Sequence, residues 1–267
     1  FKPVKKIIPG TYLEFDLETK KIKSSKYLEE KIFDEKKDHK KELNIYTHEK
    51  NIENLLFDSV KNKLQADVKV AVLLSGGIDS GLVTAFAKQI KPDIQAFTVK
   101  FDNQIFDESV EASKIAEHLK VKHKIIRVQP PNFAELKELL SIVDEPFADS
   151  SIIPTSILCK NVSKEYKVAL SGDGGDELFG GYTHYKWCRR QILLRNIFPK
   201  NFLNLISKNA LNKIESGQRG YNFFSGLSGD IKYAFANANK FLNSEEINNI
   251  FKINKDKNNL DYSLYYK

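Results

Sequence analysis

The chain has 267 residues of which 41% are apolar, enough hydrophobic material for one large domain or two modest ones. No apolar run approaches the roughly 20 residues of a membrane-spanning helix, and the opening FKPVKK lacks the apolar segment and cleavage site of a secretory leader. The net charge of +7, from 42 basic and 35 acidic side chains, raises nucleic acid as a partner. Yet the lysines of residues 20–41 are mixed with acids as on a solvated surface, and no RNA-binding signature is present, so neither nucleic acid nor membrane is expected. Cys159 and Cys188 form no ligand-spaced pair and read as free thiols in a reducing cytoplasm. There is no methionine and the first residue is Phe1, so a fragment or processed form is expected.

Residues 4–16 (VKKIIPGTYLEFD) alternate apolar and polar around Pro9-Gly10, which predicts a short hairpin or edge pair. Residues 19–46 are charged and aperiodic and read as a linker. Ile52, Leu55, Leu56, Val60 and Leu64 then recur at helical spacing. A β-branched strand at 70–74 precedes a helix with Leu82, Val83, Phe86, Ala87 and Ile90 on its apolar face, broken at Pro92-Asp93. A strand at 94–101 leads to a helix at 108–119, with Val110, Ile115, Ala116 and Leu119 inward. A strand at 123–128 ends at Pro130-Pro131, and Phe133, Leu136, Leu139, Leu140 and Val143 mark the next helix. After a loop at 144–151, Pro154 opens a helix to about Tyr166, and a fourth strand occupies 167–170.

This alternation predicts an α/β fold, a doubly wound parallel sheet with helices on both faces. Beyond Tyr182, apolar clusters at 192–194, 202–206 and 241–251 lie among Lys and Asn and predict a mainly helical C-terminal part. The expected division is 1–47, 48–190 and 191–267.

Chemistry is expected in loops at strand carboxyl ends. The first reads Ser75-Gly76-Gly77-Ile78-Asp79-Ser80. A strand that turns on glycines into a helix N-terminus aims N–H groups and the helix dipole at one point, an anion cradle. No lysine stands in this turn, so it is not a Walker A loop. Phosphate would be held by backbone N–H groups and the hydroxyls of Ser75 and Ser80. Asp79 would be repelled by bare phosphate, which suggests a bridging Mg²⁺. The plainer alternative is an ordinary turn with Gly and Asp as turn and N-cap residues.

The fourth strand runs into Ser171-Gly172-Asp173-Gly174-Gly175-Asp176-Glu177, followed by LFGGY. Its three carboxylates would repel one another without a cation, and with Asp79 they suit a hard ion. A solvated acidic loop is the alternative, which two facing Ser-Gly loops on one sheet disfavour. Lys100, His123, Asp107, Glu108, Asp149, Ser150 and Ser151 have ordinary readings as surface, packing or capping residues.

SGGIDS is similar to the PP-loop of N-type ATP pyrophosphatases, and SGDGGDELFGGY resembles the second signature of glutamine-dependent asparagine synthetases. FTVKFDNQIFDES, VDEPFADSSIIPT and IIPGTYLEFD resemble further segments of that family, so the likeness covers most of residues 1–190 and fades beyond. It implies the PP-loop ATP pyrophosphatase type of sheet. It implies ATP with its pyrophosphate on Ser75, Gly76, Gly77 and Ser80, adenine near Leu73 and Val99, and ribose and α-phosphate near Ser171 and Gly172. Mg²⁺ would be held by Asp79 and Asp176, with Asp173 and Tyr182 beside the reacting carboxyl. Many members carry Glu where Asp173 stands, and Tyr182 has a second reading as a packed aromatic.

The implied reaction adenylates the side-chain carboxylate of aspartate and transfers glutamine-derived ammonia to it, giving asparagine, AMP and pyrophosphate. Residues 1–47 would then end a glutaminase domain carried by the full-length protein, and a homodimer is an open expectation. That glutaminase domain and a downstream L-x-K-V-D segment are absent from these 267 residues. Rival readings are amidotransferases on sugar carboxylates in polysaccharide assembly and β-lactam-forming synthetases. A tRNA-modifying PP-loop enzyme is disfavoured by the lack of a cysteine pair, and a non-catalytic remnant by intact Ser75, Asp79 and Asp176.

Overall fold

The structure, a computed structural model, describes residues 6–27, 44–143, 149–215 and 217–238. It divides into two compact units, Phe1–Leu56 and Phe57–Lys267.

In the first unit, β1 (Thr11–Phe15) pairs antiparallel with β2 (Ile22–Lys26), Thr11 opposite Lys26 and Phe15 opposite Ile22. The hairpin therefore turns at 16–21, not at Pro9-Gly10 as the alternation suggested. The Asp16 carboxylate accepts from the N–H groups of Glu18 (2.9 Å) and Thr19 (2.7 Å), and Lys20 takes a left-handed φ of 55°. An Asp side chain thus does the work expected of a Pro-Gly pair. Pro9-Gly10 instead bends the chain ahead of β1. Part of the expected linker is strand, and its residues 28–43 lie outside the described ones. Helix α1 (Ile45–Lys63) follows, its residues from Phe57 onward counted in the second unit; within it Val60 is buried, whereas Ile52 and Leu55 are exposed.

The second unit is built on four parallel strands, β3 (Val70–Leu73), β4 (Gln95–Lys100), β5 (Lys122–Arg127) and β6 (Val168–Leu170), in the order β5-β4-β3-β6. Central β3 is an unbroken apolar run, as a strand covered on both faces requires. Helices α2 (Ile78–Ile90), α3 (Ser109–His118), α4 (Phe133–Ile142) and α5 (Ile152–Val162) connect the strands. The chain steps outward from β3 to β4 and β5, then returns to the far side of β3 as β6. The strand order reverses between β3 and β6, the point outside whose carboxyl ends open parallel sheets bind ligands.

One core cluster joins Ala71, Phe97 and Ile126 of the sheet to Leu158 and Val162 of α5, with the Tyr166 ring edge-on to Phe97 at 5.5 Å. Helix α3 buries Ser109, Ala112 and Ala116, while Val110, expected inward, is 55% exposed. Ala116 is buried and Ile115 and Leu119 are half-buried as the periodicity predicts, and the small residues Ser109 and Ala112 take the inward place expected of Val110. Helix α4 carries a capping box between Asn132 and Glu135 and buries none of its residues. Residues 144–148 of the expected loop, and the cluster at 241–251, lie outside the described residues.

Beyond β6 come α6 (Gly175–Phe179), α7 (Thr183–Ile197), α8 (Lys200–Leu211), α9 (Tyr221–Gly226) and α10 (Ile231–Ala238), so the C-terminal part is helical as far as it is described. Among the described residues, no helix is long and apolar enough to cross a membrane.

Candidate active site

At the end of β3 the Leu74 N–H donates to the Phe97 carbonyl at 2.9 Å, and the chain leaves the sheet at Ser75. Gly76 follows with φ of +88°, a left-handed conformation that costs glycine little. A Cβ there would stand 3.0 Å from the Ala112 nitrogen, the Glu108 oxygen and the Glu111 Cβ, so the turn is pressed onto the start of α3. Gly77 caps α2 with no side-chain hydrogen bond, which leaves the first-turn N–H groups of α2 without a side-chain acceptor. The Ser75 N–H donates to Ser80 Oγ at 3.1 Å, the two hydroxyl oxygens lie 3.0 Å apart, and Ser80 Oγ reaches the Gly77 carbonyl at 3.3 Å. Ser80 is 5% exposed and braces the loop from beneath, whereas Ser75 is exposed.

The second loop lies directly on the first. A Cβ on Gly172 would fall 2.6 Å from the Ser80 nitrogen and 3.0 Å from the Asp79 carbonyl carbon. A Cβ on Gly175 would overlap the Asp79 carboxylate, and one on Gly181 would overlap Asp176 Oδ1. The Asp79 carboxylate therefore rests against the backbone of the residue next to Asp176. Among the described residues neither carboxylate has a hydrogen-bond partner or ion pair. The donor chemistry of two such carboxylates, one on each loop, suits Mg²⁺, which takes one or two protein carboxylates and completes its shell with water and phosphate. No described group of three or more Asp, Glu, His or Cys forms a closed cage.

Ser171 Oγ donates to Asp173 Oδ2 at 2.8 Å, which turns that carboxylate back onto its own loop. Tyr182 Oη donates to Glu177 Oε1 at 2.7 Å, and its ring stacks on His184 at 5.2 Å, with Tyr185 and Phe235 extending the aromatic group. The bond to Glu177, helped by burial and by the neighbouring carboxylate charges, pushes the Tyr182 phenol from 10.0 up to about 12. A carboxylate acceptor favours the protonated phenol, so Glu177→Gln is expected to bring Tyr182 back down toward its ordinary range. The difference between alkaline ultraviolet titrations of Glu177→Gln with and without Tyr182→Phe measures this; an unchanged high titration point would refute it.

The structure thus gathers Ser75, Gly76, Gly77, Asp79, Ser80, Ser171, Gly172 and Asp176 at the β3–β6 switch point, with Asp173 on the same loop. Leu73 and Val99 are half-buried and pack on the Phe97 cluster from neighbouring strands. Tyr182 is bonded to Glu177 rather than Asp173. Sequence reasoning did not single out Gly175 or the role of Glu177, because both depend on how the second loop folds over the first.

Asp107 accepts from the Ser109 N–H (3.2 Å) and hydroxyl (3.1 Å), so it caps α3 as its plainer reading held. Burial pushes its carboxyl up, but the bonds from Ser109 and Phe101 and the nearby Lys100 outweigh this and hold it below the usual range. Glu108 occupies the N-cap position with no side-chain bond. Asp149 accepts from the Ser151 N–H at 2.9 Å and shapes its own loop. Lys100 and Ser150 are exposed. His123 Nε2 lies 2.7 Å from Thr98 Oγ1.

Comparison with known proteins places this site in a family context. An asparagine synthetase of Methanocaldococcus jannaschii, putative and glutamine-hydrolyzing by its name, is 34% identical over 201 residues, covering 73% of this chain and 36% of that protein. Glutamine-hydrolyzing asparagine synthetase 1 of Bacillus subtilis is 37% identical over 138 residues, 51% of this chain and 22% of that protein. The chain therefore matches roughly a fifth to a third of these relatives' length. Among solved structures, an NH3-dependent NAD synthetase from Campylobacter jejuni in complex with nitrate covers 73% of this chain and 99% of its own, at 16% identity and a TM-score of 0.38. The family model described as asparagine synthase matches residues 51–241, from α1 past α10 and across both Ser-Gly loops; the chain belongs to the asparagine synthase family.

Proposed function

We propose that this chain is the synthetase portion of a glutamine-dependent asparagine synthetase, which adenylates the side-chain carboxylate of aspartate with ATP and converts it to the amide with ammonia. The observation that carries this reading is the contact of Gly172 and Gly175 with Asp79 and Ser80, which stacks two Ser-Gly loops at the switch point of a parallel sheet.

ATP would lie with its pyrophosphate on the Ser75 and Ser80 side of the loop, on the N–H groups of Gly76, Gly77 and the start of α2, where oriented donors cost no reorganisation when charge develops. Adenine would sit near Leu73 and Val99, ribose and α-phosphate near Ser171 and Gly172. Asp79 and Asp176 would hold Mg²⁺, which when bound neutralises phosphate charge. One oxygen of the aspartate carboxylate attacks the α-phosphorus, the α–β bond breaks and pyrophosphate leaves. Ammonia then attacks the acyl carbon, and AMP departs with the carboxylate oxygen. Asp173 and Tyr182 would lie near the reacting carboxyl; the one proton of the Tyr182 phenol is given to Glu177, so Tyr182 does not serve as a base.

In this reading residues 1–47 end a glutaminase domain, 48–190 form the ATP-binding α/β domain and 191–267 a helical part of the synthetase domain. Free Cys159 and Cys188 accord with a cytoplasmic setting. Phosphorus NMR of products from the full-length protein tests the bond that breaks: AMP and pyrophosphate are expected, and ADP with inorganic phosphate would refute the reading. Pyrophosphate exchange driven by a uronic acid and not by aspartate would overturn the choice of acceptor.

A further inference from the structure

The ATP loop is held from behind by a hydrogen-bond chain that starts two strands away. Thr98 on β4 donates its hydroxyl to the Leu74 carbonyl at 2.5 Å, and His123 Nε2 on β5 lies 2.7 Å from the same Thr98 oxygen. A threonine hydroxyl has one proton. With that proton committed to Leu74, Oγ1 can only accept from the imidazole, so His123 carries a proton on Nε2. Thr98 and Leu74 are each 2% exposed, and a buried hydroxyl with both its roles filled has one orientation. Burial also holds the His123 imidazole below its ordinary value, which keeps the neutral Nε2–H form at neutral pH.

The target of this chain is one peptide plane. The Leu74 carbonyl and the Ser75 N–H belong to the same planar unit. Thr98 grips its oxygen, and its N–H donates to Ser80 Oγ at 3.1 Å. Rotation of that plane would break both bonds and swing the next residues, Gly76 and Gly77, off the line set by α3 and α2.

We propose that His123 and Thr98 are positioning residues for the ATP loop: the chain from His123 Nε2–H through the Thr98 hydroxyl to the Leu74 carbonyl fixes the 74–75 peptide plane, keeps the Ser75 N–H on Ser80, and so aims the amides of Gly76 and Gly77 at the nucleotide's pyrophosphate. The proposal rests on the reading of that loop as the ATP site. Neither residue touches substrate.

The test uses the full-length protein with His123→Ala, His123→Gln, Thr98→Val, Thr98→Ser and the His123→Ala/Thr98→Val pair. Lost positioning weakens ground-state and transition-state binding alike, so KM for ATP should rise about tenfold with kcat within about twofold. The double variant should be no worse than Thr98→Val alone, because both changes break one chain. Thr98→Ser and His123→Gln, which keep the hydroxyl and a donor, should restore KM. Unchanged KM in the single variants, or effects that add in the double variant, overturn the proposal, as does a fall in melting temperature with KM intact. If Thr98→Val does not fold, the two His123 variants decide. If the wild type turns over no ATP, the functional reading fails alone. Hydrogen exchange at the amides of 75–77 then still decides the positioning role: faster exchange in His123→Ala supports it, and unchanged rates overturn it.

Discussion

Asp79→Ala and Asp176→Ala are each expected to lower ATP-dependent turnover of the full-length protein by roughly a thousandfold, the scale on which losing one preorganised charge-stabilising group acts. The two carboxylates come from different elements, one in the first turn of α2 against Gly175 and one in α6 against Gly181. Neither has a hydrogen bond or ion pair among the described residues, so removing either takes away only its packing against Gly175 or Gly181. Folding stability should therefore change by no more than about 0.5 kcal/mol, as for substitutions away from structural features. Steady-state kinetics over a Mg²⁺ titration, with chemical denaturation in parallel, separates the two effects. Unchanged turnover in either variant would refute the assignment of these residues to the metal. A large loss of stability would show that the pair is structural.

Gly172→Ala is expected to do the opposite, damaging fold and binding together. Its added methyl would lie 2.6 Å from the Ser80 nitrogen, a backbone atom at the start of α2 that no side-chain rotation can move. One loop must lift off the other. Overpacking of this kind costs about 1–3 kcal/mol, and a displacement near 1 Å at the nucleotide lowers activity by about a hundredfold. Gly174→Ala is the control. Gly174 has φ of +91°, but nothing stands within 4 Å of the added atom. It should show only the backbone cost, on the order of 1–2 kcal/mol, with ATP binding retained by the folded fraction. Denaturation curves and ATP titrations on both variants check this. Equal loss of ATP affinity in the two would mean that the close contact of Gly172 with Ser80 is not what supports ATP binding.

Much of the site was legible before any coordinates because the loops announce themselves. A β-branched run that stops at Ser75-Gly76-Gly77 and a strand that stops at Ser171-Gly172 read as strand-end turns on one end of a parallel sheet, and the pairing of β3 with β6 sets them side by side. What was not legible depends on long-range packing. The hairpin register was missed because Asp16 and Lys20 make the turn through a side-chain bond and a left-handed residue, while Pro9-Gly10 carried the stronger local signal. On α3 only Val110 departs from the expected inward set, because Ser109 and Ala112, which carry little hydrophobic pattern, are buried beside the expected Ala116. The His123–Thr98–Leu74 chain joins residues 24 and 25 positions apart across two strands, a separation at which no periodicity reports contact. Glu177 reads as one more acid in an acidic loop until Tyr182 folds back onto it.

The central claim is that a carboxylate of aspartate attacks the α-phosphorus of ATP. Aspartate labelled with ¹⁸O in its side-chain carboxyl, incubated with the full-length protein, ATP, Mg²⁺ and glutamine, follows that oxygen directly. One labelled oxygen should appear in the phosphate of AMP, read by mass spectrometry or by the isotope shift of its phosphorus resonance. Label found in inorganic phosphate, or AMP released with none, would contradict the account.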